Sequence, residues 1–460
     1  MKDVLERFFH LSENHTDVHT EVVAGLTTFV TIAYILAVNP SVLSVTGMDQ
    51  GSVFTATAVV SFIGTLIMAA LTNYPFILAP GMGINAYFAY TVCLGMGYTW
   101  QVALAAIFVE GILFVILSLT NVREKIFEAI PLNLKFAITS GVGLFITIIG
   151  LKGSGLVVSS PSTLVAMFSF HGSVAQGTWA TQGITALLAL IGILVTAILV
   201  CRNVKGNILL GILITWGMGI VCQLLGWYVP DSSAGFNSLL PDFSHGISIP
   251  SLQPTLFKMD FSNVLSVGFV VVVCAFLFTN LFDTIGTLIG AAAKADLLDE
   301  DGQLPNVKGA LLAESFGTLI AGAVGTSSTA TAVECTAGIS EGGRTGLTSV
   351  VVSVLFLLSL FLSPLFLAIP SFATSPALII VGFMMITAIV KIDWADVTEA
   401  IPSFVAIIAM PFMYSIAEGI SLGIISYVVI NFFSGKEGHS KISGVMWVLF
   451  FLFVVKYFFI

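Results

Sequence analysis

Gly325-Thr-Ser-Ser-Thr-Ala-Thr-Ala-Val-Glu334-Cys-Thr-Ala-Gly338 is the stretch on which the fold of this chain turns. It lies between two apolar runs, is crowded with hydroxyls and carries an acid, so it makes a poor continuous helix. A second break is Asn73-Tyr-Pro75-Phe-Ile-Leu-Ala-Pro80-Gly81-Met-Gly83-Ile-Asn85-Ala-Tyr87, where two prolines and two glycines interrupt the helical ladder. Non-helical backbone at membrane depth survives only when buried in protein or facing a cavity. Each break is followed by a short helix whose start would lie near the bilayer midplane, where free N–H groups offer donors to a polar solute. The bland alternative, two surface loops between shorter spans, keeps the number of spans even but leaves the symmetry of the chain without a purpose.

The composition makes the membrane setting necessary. Of 460 residues, 57% are hydrophobic and only 9% charged, against roughly 25% charged in a soluble domain. A soluble multi-domain enzyme and a disordered chain are both excluded. A net charge of −9 without a basic stripe speaks against nucleic acid as a partner. The five cysteines are scattered through apolar runs, and the six histidines lie in polar segments. No metal spacing, disulfide framework or intramembrane histidine relay follows from them. The polar segment 1–21 is not a cleavable signal, and the first apolar run is expected to stay in the mature protein.

Apolar runs of span length fall at 22–45, 52–71, 82–96, 100–119, 133–151, 180–200, 206–228, 263–292, 306–324, 330–341, 347–368, 375–390, 402–416 and 418–433. A further run, 445–460, is left open. Fourteen spans put both ends of the unit on one side, here the cytoplasm. Of the sixteen Lys and Arg residues, thirteen then fall inside, Lys152 and Lys258 fall outside, and Lys456 depends on the last run. That asymmetry satisfies the positive-inside rule and would be broken by an early missed helix. The loops 152–179 and 229–262, rich in Ser, Gly and Pro, read as external.

Seven spans stand on each side of loop 229–262, so a repeat unit must invert in the membrane. Ser61-Phe-Ile-Gly64-Thr65-Leu-Ile67 in span 2 is echoed by Ser315-Phe-Gly317-Thr318-Leu-Ile320 in span 9, and a broken segment follows each. Ile130-Pro131 is echoed by Ile369-Pro370, and Ile208-Leu-Leu-Gly-Ile212 by Ile420-Ser-Leu-Gly-Ile424. Their common order carries the argument, and inverted repeats are a mark of secondary transporters.

An acid at mid-span is costly, about 2.5–3.5 kcal/mol on insertion scales, and is a functional candidate by default. Asp283 sits deep in span 8 and Glu334 in the second break. Glu314, in span 9, serves either proton coupling or a structural hydrogen bond. Glu110 reads as structural. Asn85 is a candidate amide contact, and Tyr87 and Phe282 could stack on a flat ring or simply be core. Thr27 and Thr28 fit helix–helix contacts better than ligand contacts.

Four stretches are familiar together: Ala24-Gly-Leu-Thr-Thr-Phe-Val-Thr-Ile-Ala-Tyr34-Ile-Leu-Ala-Val-Asn39-Pro40, Ala79-Pro-Gly-Met-Gly-Ile-Asn85-Ala-Tyr-Phe88, Phe282-Asp-Thr-Ile-Gly-Thr287, and Glu334-Cys-Thr-Ala-Gly-Ile-Ser-Glu-Gly-Gly-Arg-Thr-Gly346. They resemble the nucleobase–cation symporter family 2, in its AzgA-like adenine/guanine/hypoxanthine permease branch. The resemblance implies an all-α polytopic membrane protein with a seven-plus-seven inverted repeat of the uracil-permease type, its spans 3 and 10 being half-helices preceded by short strands. It implies a core domain (22–119 and 263–368), a gate domain (133–228 and 375–433), an external loop at 229–262 and a tail at 434–460. The family's substrate acids match Asp283 on span 8 and Glu334 on span 10, and an acid used by other members on span 9 matches Glu314. Uracil and xanthine members carry Glu where this chain has Asp283, and no histidine follows one turn later, so proton handling would rest on carboxylates.

These readings together predict a carrier importing a purine base with a proton, by an elevator-like movement of core past gate in a bacterial inner membrane. The expected substrate contacts are Asn85, Ala86, Tyr87, Phe282, Asp283, Glu334 and Cys335, with Asp283 and Glu314 handling the proton. Asp283 and Glu334 are expected to meet in a dehydrated pocket. Partners are the base, the proton and the lipid bilayer, with a homodimer admitted; no cofactor and no enzyme chemistry are called for. The rival cargoes on the same fold are xanthine, uracil or an anion, and two acids at the site disfavour an anion. A channel or an intramembrane enzyme is a rival of another class, the latter lacking any Ser/His or metal constellation in the spans.

Overall fold

In the computed structural model, the described residues are all but 1, 121–129, 161, 232–234, 242–247, 263, 265, 296, 298–303, 436–441 and 460; side chains are described except also at 2–4, 267, 282, 283, 285, 286, 289, 290, 293, 294, 456, 458 and 459. Among the described residues, ten helices are long and apolar enough to cross a membrane. The elements run α1 (Lys2–Phe9), α2 (Val18–Ile32), α3 (Ile35–Ser44), α4 (Gln50–Thr72), β1 (Leu78–Pro80), α5 (Met82–Ala86) continued by a π-helical stretch (Tyr87–Gly95), and α6 (Trp100–Leu119). Then come α7 (Leu132–Gly153), β2 (Val157–Ser160), β3 (Leu164–Met167), α8 (Phe170–Ala175), α9 (Ile184–Cys201) and α10 (Asn207–Leu224). The second half has α11 (Val267–Lys294), α12 (Val307–Val324), β4 (Thr329–Thr331), α13 (Cys335–Ser340), α14 (Gly346–Ser359), α15 (Ser363–Leu367), α16 (Ser371–Ile386), α17 (Val397–Phe412), α18 (Ile416–Phe433) and α19 (Gly444–Phe459).

The helices pack as two bundles. In one, α6 and α4 lie against α12, α14 against α4 and α2, and α11 against α6. In the other, α7 packs on α16 and α17, α17 on α18, and α9 on α10 and α16. Both broken segments belong to the first bundle. There β1 and β4 pair antiparallel, with Leu78 opposite Thr331 and Pro80 opposite Thr329. Both strands are fully buried.

The repeated Gly-Thr pair explains how the strands are held. Thr65 Oγ1 on α4 donates to the carbonyl of Leu78 at 3.1 Å and accepts from its N–H at 3.0 Å. Thr318 Oγ1 on α12 donates to the carbonyl of Thr329 at 3.3 Å. Leu78 and Thr329 are each the first residue of their strand. The preceding glycine lets the strand approach: a Cβ on Gly64 would lie 3.4 Å from Leu78 Cβ, and one on Gly317 only 2.4 Å from Thr329 Oγ1. Two edges that would otherwise strand backbone groups in an apolar medium are thus paired to each other and to threonines.

Three boundaries differ from the sequence reading. The first span breaks at Ala33-Tyr34 into α2 and α3. α2 begins at Val18, so Glu21 lies inside a helix and not in the tail; its carboxylate is fully buried. It accepts from the N–H of Arg344 at 2.8 Å, the N–H of Thr348 at 3.0 Å and Thr348 Oγ1 at 2.6 Å. Glu21 therefore supplies acceptors for the orphan donors at the start of α14. Lastly, span 10 keeps only six helical residues, because Ala332-Val-Glu334 turn before α13 starts.

Candidate functional site

The hydroxyl run at the second break is tied down residue by residue. Asn39 Nδ2 on α3 donates to Thr326 Oγ1 at 2.9 Å and to Thr57 Oγ1 at 2.6 Å. Ser327 Oγ donates to Asn85 Oδ1 on α5, and Ser328 Oγ to Glu110 Oε2 on α6. Thr331 donates through its N–H at 2.9 Å and through Oγ1 at 2.6 Å, both to Glu314 Oε1 on α12. All of these groups are buried. Each unsatisfied one would cost about 1–3 kcal/mol, so the run fixes the course of the strand with little freedom left.

Glu334 stands at the end of this strand, immediately before α13. It is half-buried, and Oε1 accepts from Tyr34 Oη at 2.6 Å. Tyr34 occupies the break between α2 and α3 and is itself buried. The neighbouring Val333 is half exposed, so the strand end borders open space although the strand itself is covered. The N–H groups of Cys335 and Thr336 turn back onto the carbonyls of Ala332 and Val333 at 3.2 and 3.0 Å. The presented group here is the carboxylate, in place of the free helix N–H groups expected from the sequence. Cys335 is fully buried behind it.

Residues 19–422 match the profile of a permease family. The chain belongs to the nucleobase–cation symporter 2 permeases. It is 39% identical to the adenine permease AdeP of Escherichia coli, over 99% of this chain and 96% of that one. It is 42% identical to the guanine/hypoxanthine permease PbuO of Bacillus subtilis, over 93% of this chain and 95% of that one. Among solved structures, the transmembrane domain of a cyanobacterial bicarbonate transporter, BicA, is similar at a TM-score of 0.60 and 15% identity, over 88% of this chain and 97% of that one. The fold is accordingly the seven-plus-seven inverted repeat of multi-pass transporters.

In this symporter-family chain, the other sequence-derived contacts fall as follows. Asn85 is fully buried on α5; its Nδ2 has no partner among the described residues, while Ser327 occupies its Oδ1. Ala86 is buried beside it. The Tyr87 ring meets Phe276 of α11 edge-on at 4.9 Å, and its buried hydroxyl has no partner among the described residues. Helix α11 packs against α5, β4 and α13 together. The side chains of Phe282 and Asp283, which this helix carries, lie outside the described residues, and so does the expected meeting of Asp283 with Glu334. Glu110, also fully buried, accepts from Asn280 Nδ2 of α11 at 3.0 Å as well as from Ser328. It joins the Asp283 helix to the strand leading to Glu334. Glu314 is an anchor of β4.

Sequence reasoning missed Tyr34 and Glu21. A tyrosine inside an apolar run reads as core, and the only signal for Tyr34 is its place in a stretch shared with the family. A cleft of about 660 Å³ opens elsewhere, at the end of the bundles where α3 and α7 finish, lined by Lys152, Gln182, Tyr228, Asn237 and Phe372 among others. Lys152 Nζ also lies 5.2 Å from the ring centre of Tyr414, which meets Tyr90 of the first bundle edge-on. Polar links between the bundles include Thr91 Oγ1 to the Tyr414 carbonyl at 3.2 Å and the Lys205–Glu341 ion pair at 2.5 Å, beside packing of α5 and α11 on α7 and of α2 on α10.

Proposed function

We propose that this permease imports a purine base (hypoxanthine, guanine or adenine) together with a proton across the plasma membrane, N-terminus inside. The observation that carries the reading is Glu334. It is a carboxylate at the end of a buried strand crossing, beside open space, and among the described side chains it is held by the Tyr34 hydroxyl. A purine presents ring N–H donors beside ring acceptors on one plane. A carboxylate can accept from those donors, and the Asn85 amide nitrogen is a donor suited to the acceptors, while the Tyr34 hydroxyl is spent on Glu334. The names of relatives at 39 and 42% identity favour purines over other small solutes.

On this reading, Asp283 shares the base with Glu334 or carries the proton. Protonation then favours the loaded, mobile carrier. Glu314 is the second proton candidate, although Thr331 already engages it. The first bundle acts as the moving core and the second as the gate. The test is uptake of labelled hypoxanthine, guanine and adenine in cells lacking their own purine carriers, competed by a panel of bases, with and without a proton ionophore. The reading expects saturable uptake competed by purines, ionophore-sensitive, and lost in Asp283→Asn and Glu334→Gln. Normal uptake in both variants defeats the site assignment; competition by pyrimidines or anions alone defeats the cargo.

A further inference from the structure

The last apolar run, Gly444–Phe459, is a helix of sixteen residues, about 24 Å long at 1.5 Å per residue. The geometry points to a fifteenth membrane crossing, which returns the residues around Tyr457 to the face of the membrane opposite the N-terminus. Three levels of contact carry this. Near the start of α19, the Trp447 ring meets Phe432 at 5.6 Å. Phe432 lies near the far end of α18. At mid-length, Phe453 meets Phe278 of α11 at 6.1 Å. Near its end, the Tyr457 hydroxyl donates to Glu418 Oε2 and lies 2.9 Å from Ser421 Oγ, both in the first turns of α18. Pairing 447 with 432 and 457 with 418 and 421 means that α19 runs antiparallel to α18 along nearly its whole length. Since α18 crosses the bilayer, α19 crosses it in the other direction.

The faces of the helix agree. Met446, Leu449 and Phe453 are buried, a stripe at helical spacing that turns toward the protein. Val448 and Phe451 point away and are 64% and 59% exposed, and Val455 is exposed too. A helix lying flat in the headgroup region would carry a charged or polar outer face; this one is apolar on both faces from Gly444 to Val455, as a helix between protein and acyl chains must be, and its Lys456 and Tyr457 fall only in the last turn. The partner of its outer face is therefore lipid. The crossing also brings the Tyr457 hydroxyl, as a donor, to Glu418, an acid in the first turn of α18.

The inference is independent of the solute carried and uses the proposed orientation only to name the two sides. It is tested in full-length chains expressed in a bacterial host. One set carries green fluorescent protein or alkaline phosphatase after Ile460, the first active only inside and the second only outside. A second full-length chain carries Ser434→Cys, at an exposed position between α18 and α19, in a Cys201→Ser background because Cys201 is itself exposed, and is labelled with a membrane-impermeant maleimide before and after permeabilisation beside the Cys201→Ser parent. The expected result is phosphatase activity without fluorescence at 460, and Ser434→Cys labelled only after permeabilisation. Reporters and Ser434→Cys on the same side overturn the crossing. Opposite sides in the reversed sense uphold the crossing and overturn the proposed orientation instead.

Discussion

Tyr34→Phe removes one hydroxyl and no volume, and it isolates the polar group that holds Glu334. The bond it deletes is 2.6 Å long and ends on a carboxylate oxygen. Hydrogen bonds to charged groups contribute about 1.5–3 kcal/mol. Glu334 is only half-buried, so water replaces part of what is lost, and the lower end of that range applies. About 1.4 kcal/mol is a factor of ten in an equilibrium. Tyr34→Phe is therefore expected to weaken the apparent affinity for the base roughly tenfold, with the melting temperature in detergent close to that of the parent. Because the hydroxyl acts through Glu334, Tyr34→Phe added to Glu334→Gln should change little more. A cycle of the two single variants and the double, read by binding of labelled purine to the purified carrier, measures that coupling. An unchanged affinity in Tyr34→Phe, or a penalty that simply adds to that of Glu334→Gln, refutes the role given to this pair.

Three further outcomes follow from the packing. Gly317→Ala drives a Cβ to within 2.4 Å of Thr329 Oγ1 and should destabilise by about 1–3 kcal/mol; Thr329→Ala added to it should restore most of the melting temperature, since the next atoms, Leu78 Cδ1 and Thr329 Cβ, are both at an ordinary 3.5 Å, and a double variant no better than the single contradicts the steric account. Glu21→Ala leaves the N–H groups of Arg344 and Thr348 unserved inside the protein and should cost about 2 kcal/mol, the upper end for a lost helix cap; a melting temperature equal to the parent's would show that the cap is redundant. Lys205→Ala removes an exposed ion pair worth about 0–1 kcal/mol; it should leave the melting temperature in place but alter the maximal uptake rate, because the pair joins the two bundles, and an unaltered rate contradicts that role.

What the sequence made legible is what local chemistry dictates. Proline, glycine and hydroxyl density marked both breaks, and the Gly-Thr echo marked the positions that hold the strands, because each motif must satisfy the backbone at the same place in either half. What it hid depends on pairs distant in the chain. Nothing near Tyr34 in sequence indicates that a carboxylate three hundred residues away will take its hydroxyl. Glu21 was read as tail because a charged residue next to an apolar run normally ends up in water, whereas here the distant turn between α13 and α14, at Arg344-Thr345, supplies the donors that make burial tolerable. The short α13 was overestimated for a related reason: Ala332-Val-Glu334 is as compatible with helix as with a turn, and only the pairing of Thr331 to β1 and to Glu314 decides it.

The partners of the hydroxyl run also say which part of the molecule can move as a body. Asn39, Thr57, Asn85, Glu110 and Glu314 come from α3, α4, α5, α6 and α12, and every one of those helices belongs to the first bundle. Cutting any of these bonds during transport would leave a buried polar group unpaired, at about 1–3 kcal/mol each. The contacts that reach the second bundle are of another kind: apolar packing of α5 and α11 on α7 and of α2 on α10, an edge-on ring pair at Tyr90 and Tyr414, a hydroxyl on the Tyr414 carbonyl, and a surface ion pair. Those can be broken and remade against water at far lower cost. On the proposed function, these costs favour a displacement that keeps the strand crossing and Glu334 together within the first bundle and slides that bundle along the second. A mechanism that pulls β1 from β4 is the expensive one. A disulfide between cysteines placed across β1 and β4, at Ala79→Cys and Ala330→Cys, which face each other in the ladder, separates the two: uptake that survives oxidation fits the sliding body, and uptake abolished by oxidation and restored by reductant would mean that the strands must part.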